Sequence, residues 1–395
     1  MIDVFFDKER YKKMRRIFII LLLNVIFITP VIAENEIFYD PDVSSLKKDF
    51  LFSKEGNVEP PGNFTKALVG FHSEWMNENW IFPVSLFWKN DGDWDMNGAF
   101  LMINFKDTDR LSSKLYQLEN VTLSLVTPVH SEKKTLYFLM QNVDSTDNSI
   151  GKWNLRKGKI QYNACPYMML YFEHFYKTGG EYYFSLDGPN NMNNAYIISF
   201  NMDTRKYNVI SKNANSYFDV AGSKLYYIKN QNTIIEYNLD NQKSSVIYKN
   251  LKDINRNHAI KCISENKFLI YHTDPDQDSK SPLLLDLKRK KEMRLDIPPI
   301  VKKTEIIEGK YFWIFSKEQF YVYDRKDMSL TGSFYYGRYN DVIVLKDKIL
   351  SCTQPRGMKN NLNIKVYSFN IEDDLKVKFQ REYNLKLWSN QNDQN

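Results

Sequence analysis

Cysteine is scarce and poorly placed for chemistry: Cys165, Cys262 and Cys352 are the only three in 395 residues. No two stand in a CxxC spacing, and an odd count allows at most one internal disulfide with a thiol left over. Cys262 and Cys352 fall inside apolar, strand-like runs and read as buried free thiols. Catalytic signatures are also missing. There is no GxSxG elbow, no HExxH, no phosphate-binding loop and no dinucleotide glycine fingerprint. Their absence removes the common enzyme classes but not enzymes that assemble a site from scattered loops. No long cationic run occurs. The formal charge is +6, and residues 1–33 hold six basic and three acidic side chains, so the remainder carries only about +3. Nucleic acid needs a concentrated cationic footprint, so it is excluded as a partner.

What is present is a core-forming chain, 15% aromatic and 26% charged. It begins with Lys8, Arg10, Lys12, Lys13, Arg15 and Arg16, followed by an uncharged run from Ile17 that ends Val31-Ile32-Ala33. A basic segment, an apolar stretch and small residues before a cleavage point describe a secretory signal peptide at 1–33. The competing reading is a retained anchor, but the run is short for a span and is interrupted by Asn24 and Pro30. Cleavage after Ala33 leaves no stable membrane span and an exported protein, periplasmic or extracellular. No cysteine at that junction offers a lipid anchor.

Residues 217–248, YFDVAGSKLYYIKNQNTIIEYNLDNQKSSVIY, hold four β-branched and aromatic runs broken by Gly222-Ser223, 229–232 and Asp240-Asn241-Gln242. Runs this short between breakers are strands, and four of them with three turns make an antiparallel meander. The unit recurs. An apolar residue followed by Asn or Asp closes the third strand at Asn104, Asn154, Asn201, Asn238, Asp286, Asp324 and Asn370. A residue opening the second strand recurs at Lys134, Glu181, Lys224, Lys267, Lys310 and Lys348. A four-strand unit repeating every ~40–50 residues is the pattern of propeller blades. Each small sheet leaves both faces apolar, and a ring of them buries every face against a neighbour.

On these residues the chain resembles the β-propeller superfamily, in the manner of extracytoplasmic YVTN or WD40-like repeats. The Gly-His and Trp-Asp marks of true WD40 repeats are missing, so the likeness implies architecture and no activity. The expected fold is all-β: a seven-bladed β-propeller of four-stranded antiparallel blades over 66–382. A lead-in at 34–65 precedes it and a polar tail at 383–395 follows. The closing segment is not evident, and pairing of Ile37-Phe38-Tyr39 with the last blade is one option.

This strand order sends the loops between second and third strands, and those between blades, to one face. Five such loops read as long: 90–98, 141–149, 187–194, 273–281 and 354–361. They form the expected recognition face, with Trp88, Trp94, His272, Asp274, Asp276 and Asp278 as ligand contacts. Asp93, Asp95 and Asn97, followed by Gly98, open like a calcium loop. Its closing acidic ligand is missing, and an ordinary hairpin tip explains the same residues. Trp88 ends a predicted strand and could equally be core. His72, His130, His174 and His258 lie in or beside predicted innermost strands, near Asp219, Glu305 and Asp341. They could line an axial channel as metal ligands or a general base, or simply face water. Three functions follow. The first is a non-catalytic exported propeller binding a protein, peptide or glycan on the long-loop face, with no cofactor except possible calcium. The second is a propeller hydrolase or lyase using the channel histidines and a divalent metal. The third is a structural subunit of a cell-envelope assembly.

Overall fold

The computed structural model describes residues 53–386 with interruptions, chiefly at 60–65, 91–92, 107–110, 119–123, 143–147, 166–174, 188–194, 274–279, 354–360 and 371–375. Residues 1–33, with the signal-peptide reading, and Ile37-Phe38-Tyr39 lie outside that description. Every described regular element is a strand. No described helix is long and apolar enough to cross a membrane.

In chain order, β1 (Ser53–Glu59) precedes the first blade, which comprises β2 (Lys66–Val69), β3 (Glu74–Met76), β4 (Asn79–Asn90), β5 (Asp93–Asn104) and β6 (Ser112–Leu118). The second blade is β7 (Ser124–Glu132), β8 (Thr135–Asn142), β9 (Asn148–Asn154) and β10 (Lys159–Cys165). The third is β11 (Phe175–Thr178), β12 (Glu181–Asp187), β13 (Ala195–Asn201) and the first half of β14 (Lys206–Ala221). The second half of β14, with β15 (Lys224–Lys229), β16 (Thr233–Asn238) and β17 (Ser244–Tyr248), makes the fourth. A register shift between Ala214 and Phe218 separates the two halves. Then come β18 (His258–Ser264), β19 (Lys267–His272), β20 (Leu283–Asp286) and β21 (Lys291–Arg294). Next are β22 (Lys303–Ile307), β23 (Tyr311–Phe315), β24 (Gln319–Asp324) and β25 (Leu330–Tyr335). The last are β26 (Asp341–Val344), β27 (Lys348–Thr353), β28 (Asn361–Asn370) and β29 (Lys376–Lys386). Within each blade successive strands pair antiparallel, except that β2 and β3 both pair with β4.

The repeated Asn or Asp terminates the third strand in every blade: β5, β9, β13, β16, β20, β24 and β28 end on it. The side chain explains the stop. Asn154 Oδ1 accepts from the Arg156 and Lys157 amides at 3.1 Å, Asn238 from Asp240 at 2.9 Å, and Asp286 from Arg289 at 3.0 Å. These bonds turn the chain before another ladder pair can form. The following residue then ties back to the first turn, as in Leu239 N to Ser223 O at 2.8 Å and Leu287 N to Asn266 O at 2.8 Å.

Apolar side chains on both faces of each sheet meet those of the neighbouring blade. Phe100 of the first blade lies edge-on to Phe138 of the second, with centroids 5.1 Å apart. Gly151 lets that ring in, because a Cβ there would sit 2.2 Å from it. Tyr137 meets Tyr182 at 5.7 Å, Tyr226 meets Phe268 at 5.0 Å, and Trp313 meets Phe369 at 5.0 Å. The third and fourth blades share Tyr183, Ile197, Leu225 and Tyr237, and the fifth and sixth share Leu269, Leu284, Phe312 and Tyr323. The circuit closes where Trp80, Phe82 and Leu101 of the first blade pack on Leu350, Leu362 and Ile364 of the last. Closure is by side-chain packing, since β26–β29 come from one stretch of chain. Each fully buried large side chain stabilises the ring by ~1.5–3 kcal/mol.

Three expectations change. The loop expected at 90–98 is a hairpin whose strands run to Asn90 and from Asp93, so Asp93, Trp94, Asp95 and Asn97 belong to β5. The segment from Met96 to Ile103, with five consecutive apolar residues from Ala99, pairs with β4 and draws the chain into the sheet. Part of the lead-in is also strand: β1 pairs with β10 over Ser53–Asn57 and with β6 at Val58 and Glu59. Finally, β29 continues to Lys386, past the boundary expected at 382, and Tyr383 and Leu385 pack into the closing cluster.

Candidate functional site

The innermost strands bring a set of charged side chains to the axis. β14 supplies Asp219 and β18 supplies Lys261, whose Nζ lies 2.9 Å from Asp219 Oδ1; the Cys262 amide donates to Asp219 Oδ2 at 2.8 Å. β22 supplies Lys303 and Glu305, 3.1 Å apart, and the Lys303 ammonium also donates to the Val342 carbonyl of the next blade at 3.2 Å. From β26, Asp341 Oδ2 accepts from the Ser73 amide at 3.0 Å and from its hydroxyl at 2.5 Å, across the seam between last and first blades. The Trp80 indole N–H donates to the same hydroxyl at 2.5 Å. Glu74 on β3 completes the set, bonded to Ser131 of β7.

The electrostatics are those of a walled, partly open space. Lys303 and Glu305 keep 35% and 37% of their side-chain surface open, yet the blades surround them. Burial pushes the Glu74 carboxyl up to about 7, against the pull of Lys303 and Ser131 and with added repulsion from Asp341 and Glu305. Burial also raises Asp341, partly offset by Lys303 and Ser73. For Lys303, burial acts to lower the ammonium, but Glu305, Asp341 and Glu74 outweigh it and hold it above the usual range. Lys261 follows the same pattern with Asp219. Both lysines are therefore locked as cations, unlike a lysine tuned for nucleophilic or base chemistry. Burial carries the Cys262 thiol up to about 12 and Cys352 well above its ordinary value, so neither is a reactive thiolate.

The sequence placed Asp219, Glu305 and Asp341 on inner strands, and the structure sets Asp219 beside Lys261, Glu305 beside Lys303, and Asp341 against Ser73. It missed Glu74, Lys261 and Lys303. A lone lysine inside the otherwise apolar inner run HAIKCIS was the available signal for one of them.

The histidines do not form one group. His72 is exposed beside the axis. His130 is half-buried on β7 with its ring stacked on Tyr137 at 5.8 Å, and burial with nearby Lys177 keeps it neutral against the pull of Glu132. His258 pairs across β18 and β19 with His272, ring centroids 3.8 Å apart. Burial, then repulsion from His272, drive His258 down to about 3. His272 was expected as a ligand contact on the recognition face, but it ends β19 and is 4% exposed. The two rings meet at a tilt of 55° and shield each other from water. His174 lies outside the described residues. Among the described residues no three His, Cys, Asp or Glu side chains converge as a metal-binding group.

The other expected contacts divide. Trp88 packs half-buried against the cluster that closes the ring, its alternative fate as core. Asn97 is buried, with Nδ2 donating to the Leu118 carbonyl at 3.2 Å. Asp93, Asp95 and Asn97 stand on an extended strand. The side chains of Asp93, Trp94 and Asp95, and the whole of Asp274, Asp276 and Asp278, lie outside what is described.

The sequence matches no known family profile and no curated protein. Similarity appears at the level of fold. Hsv2p of Kluyveromyces lactis superposes with a TM-score of 0.51 at 10% identity, covering 80% of this chain and 98% of that one. A form of the same yeast protein with loop 6CD replaced by a Gly-Ser linker gives 0.53 at 11% identity, covering 80% and 99%. The β-propeller domain of the Trilobed protease from Pyrococcus furiosus, described as having an open velcro topology, gives 0.50 at 10% identity, covering 84% and 98%. Likeness at this identity establishes architecture alone.

Proposed function

From the premise that this chain is a β-propeller, we propose that it is an exported, seven-bladed, non-catalytic ring that binds a protein, peptide or glycan through its loop face. The observation that carries this reading is the inequality of the two faces. First and second strands join through two or three residues in every blade, as at Asn77-Glu78 and Gly222-Ser223. Left-handed φ values of 48° and 62° at Asn77 and Glu78 fit the tightest hairpin turns. On the opposite face, β12 joins β13 through 188–194, β19 joins β20 through 273–282, and β27 joins β28 through 354–360. Long connections held by a rigid ring are where recognition residues concentrate.

The axial charges support a scaffold: Asp219, Lys261, Lys303 and Glu305 are neutralised in pairs, and Asp341 is held by the Ser73 donors. Export rests on the basic and apolar pattern of residues 1–33. Contact with the ligand is assigned to Asp274, Asp276 and Asp278 in the 273–282 connection and to Trp94 beside the β4–β5 tip. Replacing Asp274, Asp276 and Trp94 with alanine is expected to weaken capture of the partner recovered from the native envelope fraction by at least ~10-fold, or ~1.4 kcal/mol, with an unchanged melting temperature. Equal capture by the variant would remove the loop face as the binding surface.

A further inference from the structure

The fifth blade carries a buried titratable pair that the binding role leaves unused. His258 opens β18 and His272 ends β19, so they face each other on the terminal rung of that ladder, ring centroids 3.8 Å apart. Both are buried. Backbone bonds around them tie three connections together. The Thr273 amide and hydroxyl donate to the Asn257 carbonyl at 3.3 Å, and the Val301 amide donates to the His272 carbonyl at 3.0 Å. From β14, Asn215 Nδ2 donates to the Asn255 and His258 carbonyls at 2.8 and 3.1 Å. The pair therefore sits at the root of the 273–282 connection, where 249–257 and 295–302 also meet.

We propose that this rung is an acid-sensitive latch: a proton taken up from the medium by His258 parts the ends of β18 and β19 and frees the root of the 273–282 connection, while the rungs below stay paired. Burial is the first obstacle to a charge on His258, repulsion from His272 the second, and Arg294 of β21 adds to it. Asn255, whose Oδ1 lies 2.9 Å from His258 Nδ1, and Asp253 favour the charge, but Asp253 is already paired with Lys280 at 2.8 Å. The closed rung thus holds His258 neutral down to about 3, against an ordinary 6.5. An opened rung takes up a proton that the closed one refuses, so the latch is intact above 6.5 and weakens as pH falls toward 3. The next rungs, Ala259 with Tyr271 and Ile260 with Ile270, carry no histidine and close on the apolar clusters. The latch belongs to the fold and operates whatever the loop face binds.

Amide exchange of the full chain across a pH series tests this. Protection factors of the Thr273 and Val301 amides should fall about tenfold per pH unit between about pH 6 and about pH 4, the dependence of one proton. Those of Leu239 and Arg325, bonded at turns of the fourth and sixth blades, should hold. His258→Phe keeps a ring against His272 without the titrating nitrogens and should abolish the fall at Thr273 and Val301. His258→Asn should act alike, and cooperative melting at about pH 8 shows that each variant folds. The His258 ring resonance offers a check that needs no substitution: it should remain that of a neutral imidazole to about pH 4. Flat protection in wild type, protection lost in parallel at all four amides, an acid response unchanged in both variants, or a folded His258 titrating near 6.5 would each overturn the proposal.

Discussion

Neighbouring blades meet in two chemically different ways. Away from the axis the contacts are apolar and interchangeable in kind, as in Trp80, Phe82 and Leu101 against Leu350, Leu362 and Ile364. Many such contacts act in parallel, and the loss of any one leaves the rest. At the axis the contacts are polar and individually specified: Asp219 with Lys261, Asp341 with Ser73, Lys303 with Glu305 and the Val342 carbonyl. A charge brought this far from bulk water is tolerable only with its partner in place. The apolar belt therefore supplies stability in bulk, while each axial group depends on its own partner.

The sharpest way to break that division is at a residue that serves both. Trp80 is fully buried in the closing cluster and donates to the Ser73 hydroxyl that holds Asp341. Trp80→Ala is expected to cost ~3–5 kcal/mol in urea unfolding, the range for emptying a large aromatic site. A loss under ~1 kcal/mol would mean that the first and last blades do not close on each other.

A smaller effect separates pairing from packing at the axis. Lys261→Met strands Asp219 and should destabilise by ~2 kcal/mol, reduced from a fully buried pair because the lysine side chain is 25% exposed. Removing both charges, with Asp219→Asn added so that an oxygen remains for the Cys262 amide, should recover most of that loss. A double variant no better than the single one would show that packing, and not charge compensation, sets the cost.

The smallest effect is a pH signature. The folded Glu74 carboxyl titrates at about 7, above its ordinary 4.5. The folded state therefore keeps a proton that the unfolded state loses, and stability falls as pH rises through that window. Wild type should lose ~2 °C in melting temperature between pH 5 and 8 relative to Glu74→Gln, with the two converging at low pH. Parallel pH profiles would place Glu74 in freely hydrated surroundings.

The blades were legible because their signals are local. An Asn side chain bonds to amides two and three residues ahead whatever surrounds it, so Asn154 and Asn238 mark strand ends from the sequence alone. The fate of 93–98 was harder to read. Asp, Asn and Gly spell a turn, but the ladder with 85–90 prevailed because burying Met96, Ala99 and Phe100 outweighs local turn preference. His272 misled differently: at a strand end beside an acidic loop it reads as exposed, yet it is buried against His258 across the ladder.

Local chemistry was enough to determine the strands, their turns and the four-strand repeat, because each rests on bonds between residues close in the chain. Which side chains share the axis, and which blade seals the circle, was decided only in three dimensions. Glu74, Lys303 and Asp341 are far apart in sequence and become neighbours because the first, sixth and seventh blades converge there. Their charges cannot be rehydrated where they meet, and that constraint does not exist until the ring is closed.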